Sequence, residues 1–308
     1  MLTALAGGVG AARMLQGLVA VTDPADLTAI VNTGDDIVLH GLHISPDLDT
    51  ITYTLAGEVS RERGWGLEGE TWQAMEMLAR YGGDDWFRLG DRDLGTHLYR
   101  TQRYAQGAAL SEITREITAA WGLGLRLLPM TDDRVETRVE VEGEGEIGFQ
   151  EYFVGRQHSV RATAVRFAGA GEATPAPGVL DALESGDAVV ICPSNPIVSI
   201  GPILAVPGVA DAVRARREAC VAVSPIIAGA ALKGPADRLL TELGHESSVV
   251  GVARLYAPYA TALVIDEADR DLAGAVQEAG MRPVVAPTIM RGPDEAAALA
   301  RVVVEAVA

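Results

Sequence analysis

Leu2-Thr-Ala-Leu-Ala-Gly-Gly-Val-Gly10 is a short apolar run that breaks into a glycine-rich turn, and an amphipathic stretch from Ala11 to Val19 follows it. An apolar run of that length ending on glycines suits a buried strand, and the period after it suits a helix. Asp23-Pro24 marks the next turn, and Leu27-Thr-Ala-Ile-Val31 is a second run with β-branched residues. Strand, helix and strand at this spacing form a right-handed βαβ unit. The fold class expected is α/β: a Rossmann-like, doubly wound, mostly parallel sheet.

The same alternation returns late in the chain. Ala188 to Cys192, Cys220 to Val223, Ala262 to Ile265 and Arg282 to Ala286 read as strands, and Pro293 to Ala308 as a C-terminal helix. Between them the pattern changes. Thr71 to Leu125 has helical periodicity, with Trp72, Met75, Leu78 and Ala79 on one face and Leu110, Ile113, Ile117 and Trp121 on another. Arg134 to Phe149 alternates as a strand, and Phe149 to Val154 and Val160 to Phe167 read as extended pieces. The domain organisation expected is a nucleotide-binding core from residues 1–60 plus 178–308, with a helical and β insertion over 61–177.

Composition narrows the function. A chain of 308 residues, 48% hydrophobic and 22% charged, has the make-up of a globular protein with a sizeable core. A formal net charge of −17 argues against nucleic acid as partner, because a phosphate backbone requires clustered cations. Cys192 and Cys220 lie in neither a CxxC nor a zinc spacing. The start has neither a basic leader nor a membrane-length apolar run, so the expectation is a cytoplasmic protein without membrane attachment. No Walker lysine loop, His-Glu-x-x-His or Ser/His/Asp order is present.

Gly8-Val-Gly-Ala-Ala-Arg13 approaches a dinucleotide fingerprint, with Arg13 in place of the third glycine. A nicotinamide-dependent dehydrogenase is opposed by that arginine and by doubled acids where one ribose-binding acid suffices. The acids are Asp35 and Asp36, then Asp47 and Asp49, close behind the second strand. They suit either solvated loop acids and helix caps or a site for Mg²⁺ or a hydroxyl-rich ligand. Ser194-Asn-Pro196 and Ser199-Ile-Gly-Pro202 follow a buried strand, where doubly wound sheets place ligand loops, and Lys233 is a candidate phosphate cation. Arg88, Arg92 and Arg100 are candidate local cations in an acidic chain.

Taken in order, Gly7-Gly-Val-Gly10, Asn32-Thr-Gly-Asp-Asp36, Ser45-Pro-Asp-Leu-Asp-Thr50, Leu89-Gly-Asp-Arg-Asp93, Leu128-Pro-Met-Thr-Asp-Asp133, Pro193-Ser-Asn-Pro196, Ser199-Ile-Gly-Pro-Ile203 and Ser224-Pro-Ile-Ile227 resemble the 2-phospho-L-lactate transferase family of coenzyme F420 biosynthesis. Phe149-Gln-Glu-Tyr-Phe153 fits as well. The resemblance implies a Mg²⁺-dependent transferase of substituted phosphate groups with two substrates. These are the deazaflavin Fo and a guanosine diphosphate-linked three-carbon acid carrying phospholactyl, phosphoenolpyruvyl or phosphoglyceryl. The ribityl hydroxyl of Fo would attack the phosphorus bearing the acid and release GMP.

On that basis Asp47 and Asp49 are expected to be catalytic, and Asp36, Asp47 and Asp49 to hold the metal. Asp49, Arg88, Asp91 and Arg92 would hold Fo, and Gly8, Gly10, Asn195, Ser199 and Gly201 the nucleotide phosphates. A homodimer is expected. The competing expectation is a non-catalytic, nucleotide-sugar-binding regulator of a related family, from which Gly90-Asp-Arg-Asp93 and Phe149-Gln-Glu-Tyr-Phe153 separate this chain.

Overall fold

The computed structural model describes residues 1–307. Seven strands build the central sheet: β1 (Leu2–Ala6), β2 (Leu27–Val31), β3 (Arg126–Pro129), β4 (Ala188–Ile191), β5 (Cys220–Val223), β6 (Ala262–Ile265) and β7 (Arg282–Val285). They lie in the order β7-β6-β5-β4-β1-β2-β3, and every neighbouring pair is parallel. The chain winds outward from β1 in one direction and from β4 in the other, so the two halves part between β1 and β4. Doubly wound sheets bind ligands at that switch point, beyond the carboxyl ends of the strands.

Both faces of the sheet are apolar, as parallel strands covered on two sides require. Leu5, Ile30, Leu128 and Ile191 point into one core, while Ala4, Ala6, Ala29, Val31 and Val190 point into the other. Helix α1 (Gly8–Val21) and the C-terminal helix Pro293–Val307 share the second core. The small Gly17 lets them touch: a Cβ there would run into the Ala296 carbonyl. Helix α2 (Pro46–Leu55) lies beside α1 and carries Leu48 and Ile51 into the same core.

The middle of the chain departs from expectation in two places. Arg126–Pro129, inside the segment assigned to the insertion, pairs with β2 and becomes an edge of the central sheet, so the core and insertion do not divide cleanly at residue 178. Pro129 fits there because an edge strand has one unpaired side. Second, Phe149 to Val154 is not extended: Glu151–Gly155 is a helical turn. Phe149 and Phe153 stack with centroids 5.6 Å apart and planes 4° apart, a contact made by helical spacing.

The helical stretch resolves into α3 (Gln73–Arg80), α4 (Asp93–Ala105) and α5 (Leu110–Ala120). A separate antiparallel sheet of Glu136–Val141, Gly145–Gly148 and Ala162–Ala168 packs through Val139 and Val141 against Val198 and Leu239. Thr137 N–H donates to the Gly34 carbonyl at 2.6 Å and Gln150 Nε2 to the Asp35 carbonyl at 3.2 Å. This sheet therefore anchors the acidic loop after β2. Among the described residues, no single helix is long and apolar enough to cross a membrane.

Candidate active site

The glycine turn sits at the switch point, and its glycines serve different physical needs. Gly8 has φ +72°, a backbone that side chains disfavour. A Cβ on Gly10 would strike the Pro193 carbonyl, so glycine brings α1 against the loop after β4. A Cβ on Gly7 would lie 2.8 Å from Ser199 Cβ and 2.9 Å from Asp47 Oδ2. Ser194 Oγ closes the junction, donating to the Gly7 carbonyl at 2.9 Å and accepting from the Gly7 N–H at 3.3 Å. Arg13 does not close the helix onto the sheet; its Nη1 donates to the Met290 carbonyl at 2.8 Å.

The loop after β4 supplies the opposite wall. Asn195 Oδ1 accepts from the Ile197 and Val198 N–H groups at 2.9 and 3.4 Å, capping the helical segment that begins at Pro196. Its Nδ2 is buried without a partner. Ser199 is 9% exposed and packs directly on Gly7. Gly201 serves packing: a Cβ there would meet the Phe167 ring at 2.9 Å.

Asn32, the first residue beyond β2, organises the acids. Its Nδ2 donates to Asp35 Oδ2 at 3.1 Å and to Asp47 Oδ2 at 3.0 Å, while its Oδ1 accepts from the Gly34 N–H at 2.8 Å. Asp36 Oδ2 accepts from Ser45 Oγ at 2.6 Å. Asp35 Oδ1 and Asp36 Oδ1 are buried with no partner. Burial raises the pKa of Asp47 to about 6, against the pull of the Asn32 amide and the Gly8 N–H. Burial and the nearby Asp47 charge push Asp35 well above the carboxylate range. Burial does the same to Asp36, over the opposing Ser45 hydroxyl.

Asp49 lies two residues along α2 in a different setting. Arg100, fully buried on α4, grips both of its oxygens: Nη1 donates to Oδ2 at 3.1 Å and Nη2 pairs with Oδ1. His97 Nδ1 lies 3.7 Å from Asp49 and Nε2 lies 3.4 Å from Asp93. Tyr53 donates to Asp93 Oδ1 at 2.6 Å. Burial opposes the Asp93 charge, but the nearby His97 ring and the Tyr53 hydrogen bond outweigh it and hold its pKa below the usual value. Asp49, Asp93 and His97 bring donor atoms within 4.8 Å of one another, a metal-like spacing. The guanidinium in that cluster already balances Asp49, so it is built as an ion-pair network that ties α2 to α4.

Asp35, Asp36 and Asp47 fit a hard divalent cation better. They present buried carboxylate oxygens that repel one another, and the Oδ1 atoms of Asp35 and Asp36 lack any donor.

Arg88, Asp91 and Arg92 make their contacts with the segment from Glu58 to Ala74. Arg88 stands 4.5 Å over the Trp72 ring, whose neighbour Arg63 is 5.3 Å from the same ring. Asp91 accepts from Thr71 Oγ1 at 2.5 Å and from the Gln73 and Ala74 N–H groups at 3.0 Å, which caps α3. Arg92 reaches the Glu68 carbonyl and, at 3.5 Å, Glu58. All three brace the segment from Glu58 to Trp72. Asn32 and Tyr53 are site residues that the sequence did not single out; Asn32 stood inside a quoted motif, directly behind a buried strand, and Tyr53 one helical turn beyond Asp49.

Comparison with known proteins places this geometry. The family model of 2-phospho-L-lactate transferase CofD matches residues 2–298. The chain is 48% identical to a protein of Streptomyces griseus subsp. griseus named phosphoenolpyruvate transferase, over 98% of this chain and 96% of that one. It is 42% identical to a protein of the same name from Mycolicibacterium smegmatis, over 97% and 96%. A crystal structure of a Bacillus halodurans protein, described as a member of the UPF0052 family, superposes with a TM-score of 0.63 at 14% identity, covering 98% of each chain; it supports the fold alone.

Proposed function

Since the chain belongs to the 2-phospho-L-lactate transferase family and is thus a transferase of coenzyme F420 biosynthesis, we propose that the acid it transfers is phosphoenolpyruvate. The donor would be the guanosine diphosphate-linked acid and the acceptor the deazaflavin Fo. The names of the relatives support the choice of acid. The family resemblance supports the two substrates. One observation carries the chemistry: Asp47 and Ser199 both crowd the point where a Cβ on Gly7 would stand, bringing a carboxylate and a hydroxyl together beside the glycine turn at the switch point.

In this account the diphosphate lies at the N-terminus of α1, against the backbone at Gly8 and Gly10, where the Gly8 N–H is shared with Asp47, and with Asn195 Nδ2 and Ser199 Oγ as further donors. The ribityl hydroxyl of Fo attacks the phosphorus that bears the enolpyruvyl group. Asp47 accepts the hydroxyl proton, the new O–P bond forms, and the O–P bond to GMP breaks with its electron pair leaving on GMP. A pKa of about 6 suits Asp47 to that task, since it is ionised at neutral pH yet more basic than an ordinary carboxylate. Asp35 and Asp36 would hold Mg²⁺, which supplies charge neutralisation at the phosphates.

Asp49 serves in this account through position rather than proton transfer or metal binding, because Arg100 balances it. Arg88 and Trp72 offer a cation and an aromatic face suited to a flat heterocycle such as Fo.

The test supplies Fo, Mg²⁺, GTP and a guanylyltransferase matched to each acid in turn. The expected outcome is GMP release equal to Fo consumed, and fastest with phosphoenolpyruvate. Tight binding of a nucleotide sugar with no GMP release from any acid would overturn the transferase account.

A further inference from the structure

The chain contains one lysine and 24 arginines among its 25 cations, and that lysine is Lys233. It follows the hairpin of Ile226–Ile227 and Ala230–Ala231, in the loop beyond β5. Its Nζ lies 2.7 Å from the point where a Cβ on Gly64 would stand, and Val9 Cγ1, in the first turn of α1, lies 3.9 Å from that same point. The ammonium is therefore held over the opening of α1, beneath the segment from Glu58 to Trp72. Its one hydrogen bond to protein is long, 3.5 Å to the Arg63 carbonyl, and among the described residues it pairs with no carboxylate.

Arg13 is a second cation of the same region, held by the Met290 carbonyl. Burial first, and then the Arg13 charge, lower the Lys233 pKa in a chain of net charge −17. The loop after β4 adds donors. The Ser199 hydroxyl, on a residue nine-tenths buried, makes no hydrogen bond among the described residues, and Asn195 Nδ2 is buried without a partner. An ammonium without a carboxylate partner, unpaired donors and a helix N-terminus are together complementary to a polyanion.

We propose that Lys233 is a diphosphate-binding residue, set as a point charge over the α1 N-terminus and held there by the backbone at Gly64. The inference rests on the donor assigned above. Lysine suits the position because a compact ammonium fits where the Gly64 backbone closes in, whereas the planar guanidinium used at all 24 other cations is wider. Lys233 supplies charge to the phosphate farther from the nucleoside, so the site distinguishes a nucleoside diphosphate from a monophosphate.

A single lysine permits a test that needs no substitution. Reductive ¹³C-methylation labels only Lys233 and the α-amino group, and the latter is fixed by Asp187. In the full-length protein with Mg²⁺, GDP and inorganic pyrophosphate are each expected to shift the Lys233 methyl signal, while GMP leaves it in place. Lys233→Met is expected to weaken GDP about 10- to 100-fold and GMP much less. A Lys233 response to pyrophosphate without any GDP binding would keep the anion site and reject the guanosine donor. GDP binding detected by calorimetry with no Lys233 shift, or equal weakening of GDP and GMP by Lys233→Met, would overturn the proposal and leave the donor assignment standing. No binding of GDP or pyrophosphate would overturn both.

Discussion

Asp47 and Asp49 leave the same first turn of the same helix, both buried, and end in opposite electrostatic states. Asp47 meets an amide, a backbone N–H and a second carboxylate, so its charge is unbalanced and its proton is retained to about pH 6. Asp49 meets a buried guanidinium on both oxygens, backed by His97 and Asp93. Carboxylates two positions apart thus divide the labour. One is costly to the fold and chemically available; the other is balanced and structural.

The largest effect should come from breaking the balanced side. Arg100→Gln leaves Asp49 buried without its cation and is expected to destabilise the protein by about 3–5 kcal/mol, read by denaturant unfolding. A loss below about 1 kcal/mol would mean that Asp49 is free to act elsewhere. Tyr53→Phe removes a donor to the same network and should cost less, roughly 1.5–3 kcal/mol, because Asp93 keeps His97. If Arg100→Gln and Tyr53→Phe combine additively, α2 and α4 are not joined by one network.

The unbalanced side predicts the reverse sign. A carboxyl whose folded pKa lies above its unfolded value contributes stability below the unfolded pKa, and that contribution is lost as pH rises through the folded one. For Asp47 the window runs from about pH 4 to about 6, and the cost above it is on the order of 3 kcal/mol. Metal-free protein should therefore gain stability from Asp47→Asn at pH 8 and little at pH 4, as followed by thermal unfolding. Equal effects at both pH values would show that Asp47 ionises freely.

The contrast also marks what the sequence could and could not express. β1, β2, β4, β5 and β6 were legible because strands buried on both faces are short apolar runs that stop at glycine, proline or polar turns. β3 was not, since Arg126-Leu-Leu-Pro129 is brief and sits behind the helical pattern from Thr71 to Leu125, about the length of three ordinary helices with their turns. Phe149 and Phe153 are four apart, a helical spacing hidden in a run of β-forming residues. The acid cluster, the glycine turn and the loop after β4 were legible as motifs. Their division of roles was not, because Arg100 lies 51 residues beyond Asp49 and only the fold brings them together. Asp91 shows the converse: a motif residue that resembles a ligand contact in sequence caps α3 in the structure.

The account stands or falls on Asp47. The most direct measurement is single-turnover GMP release from the guanosine diphosphate-linked donor and Fo, comparing wild type with Asp47→Asn across pH 5 to 8. The wild-type rate is expected to rise with an apparent pKa near 6, and the Asp47→Asn protein to be at least as stable as wild type but at least about 100-fold slower with that pH dependence gone. Turnover by Asp47→Asn close to the wild-type rate, with the pH profile unchanged, would contradict it.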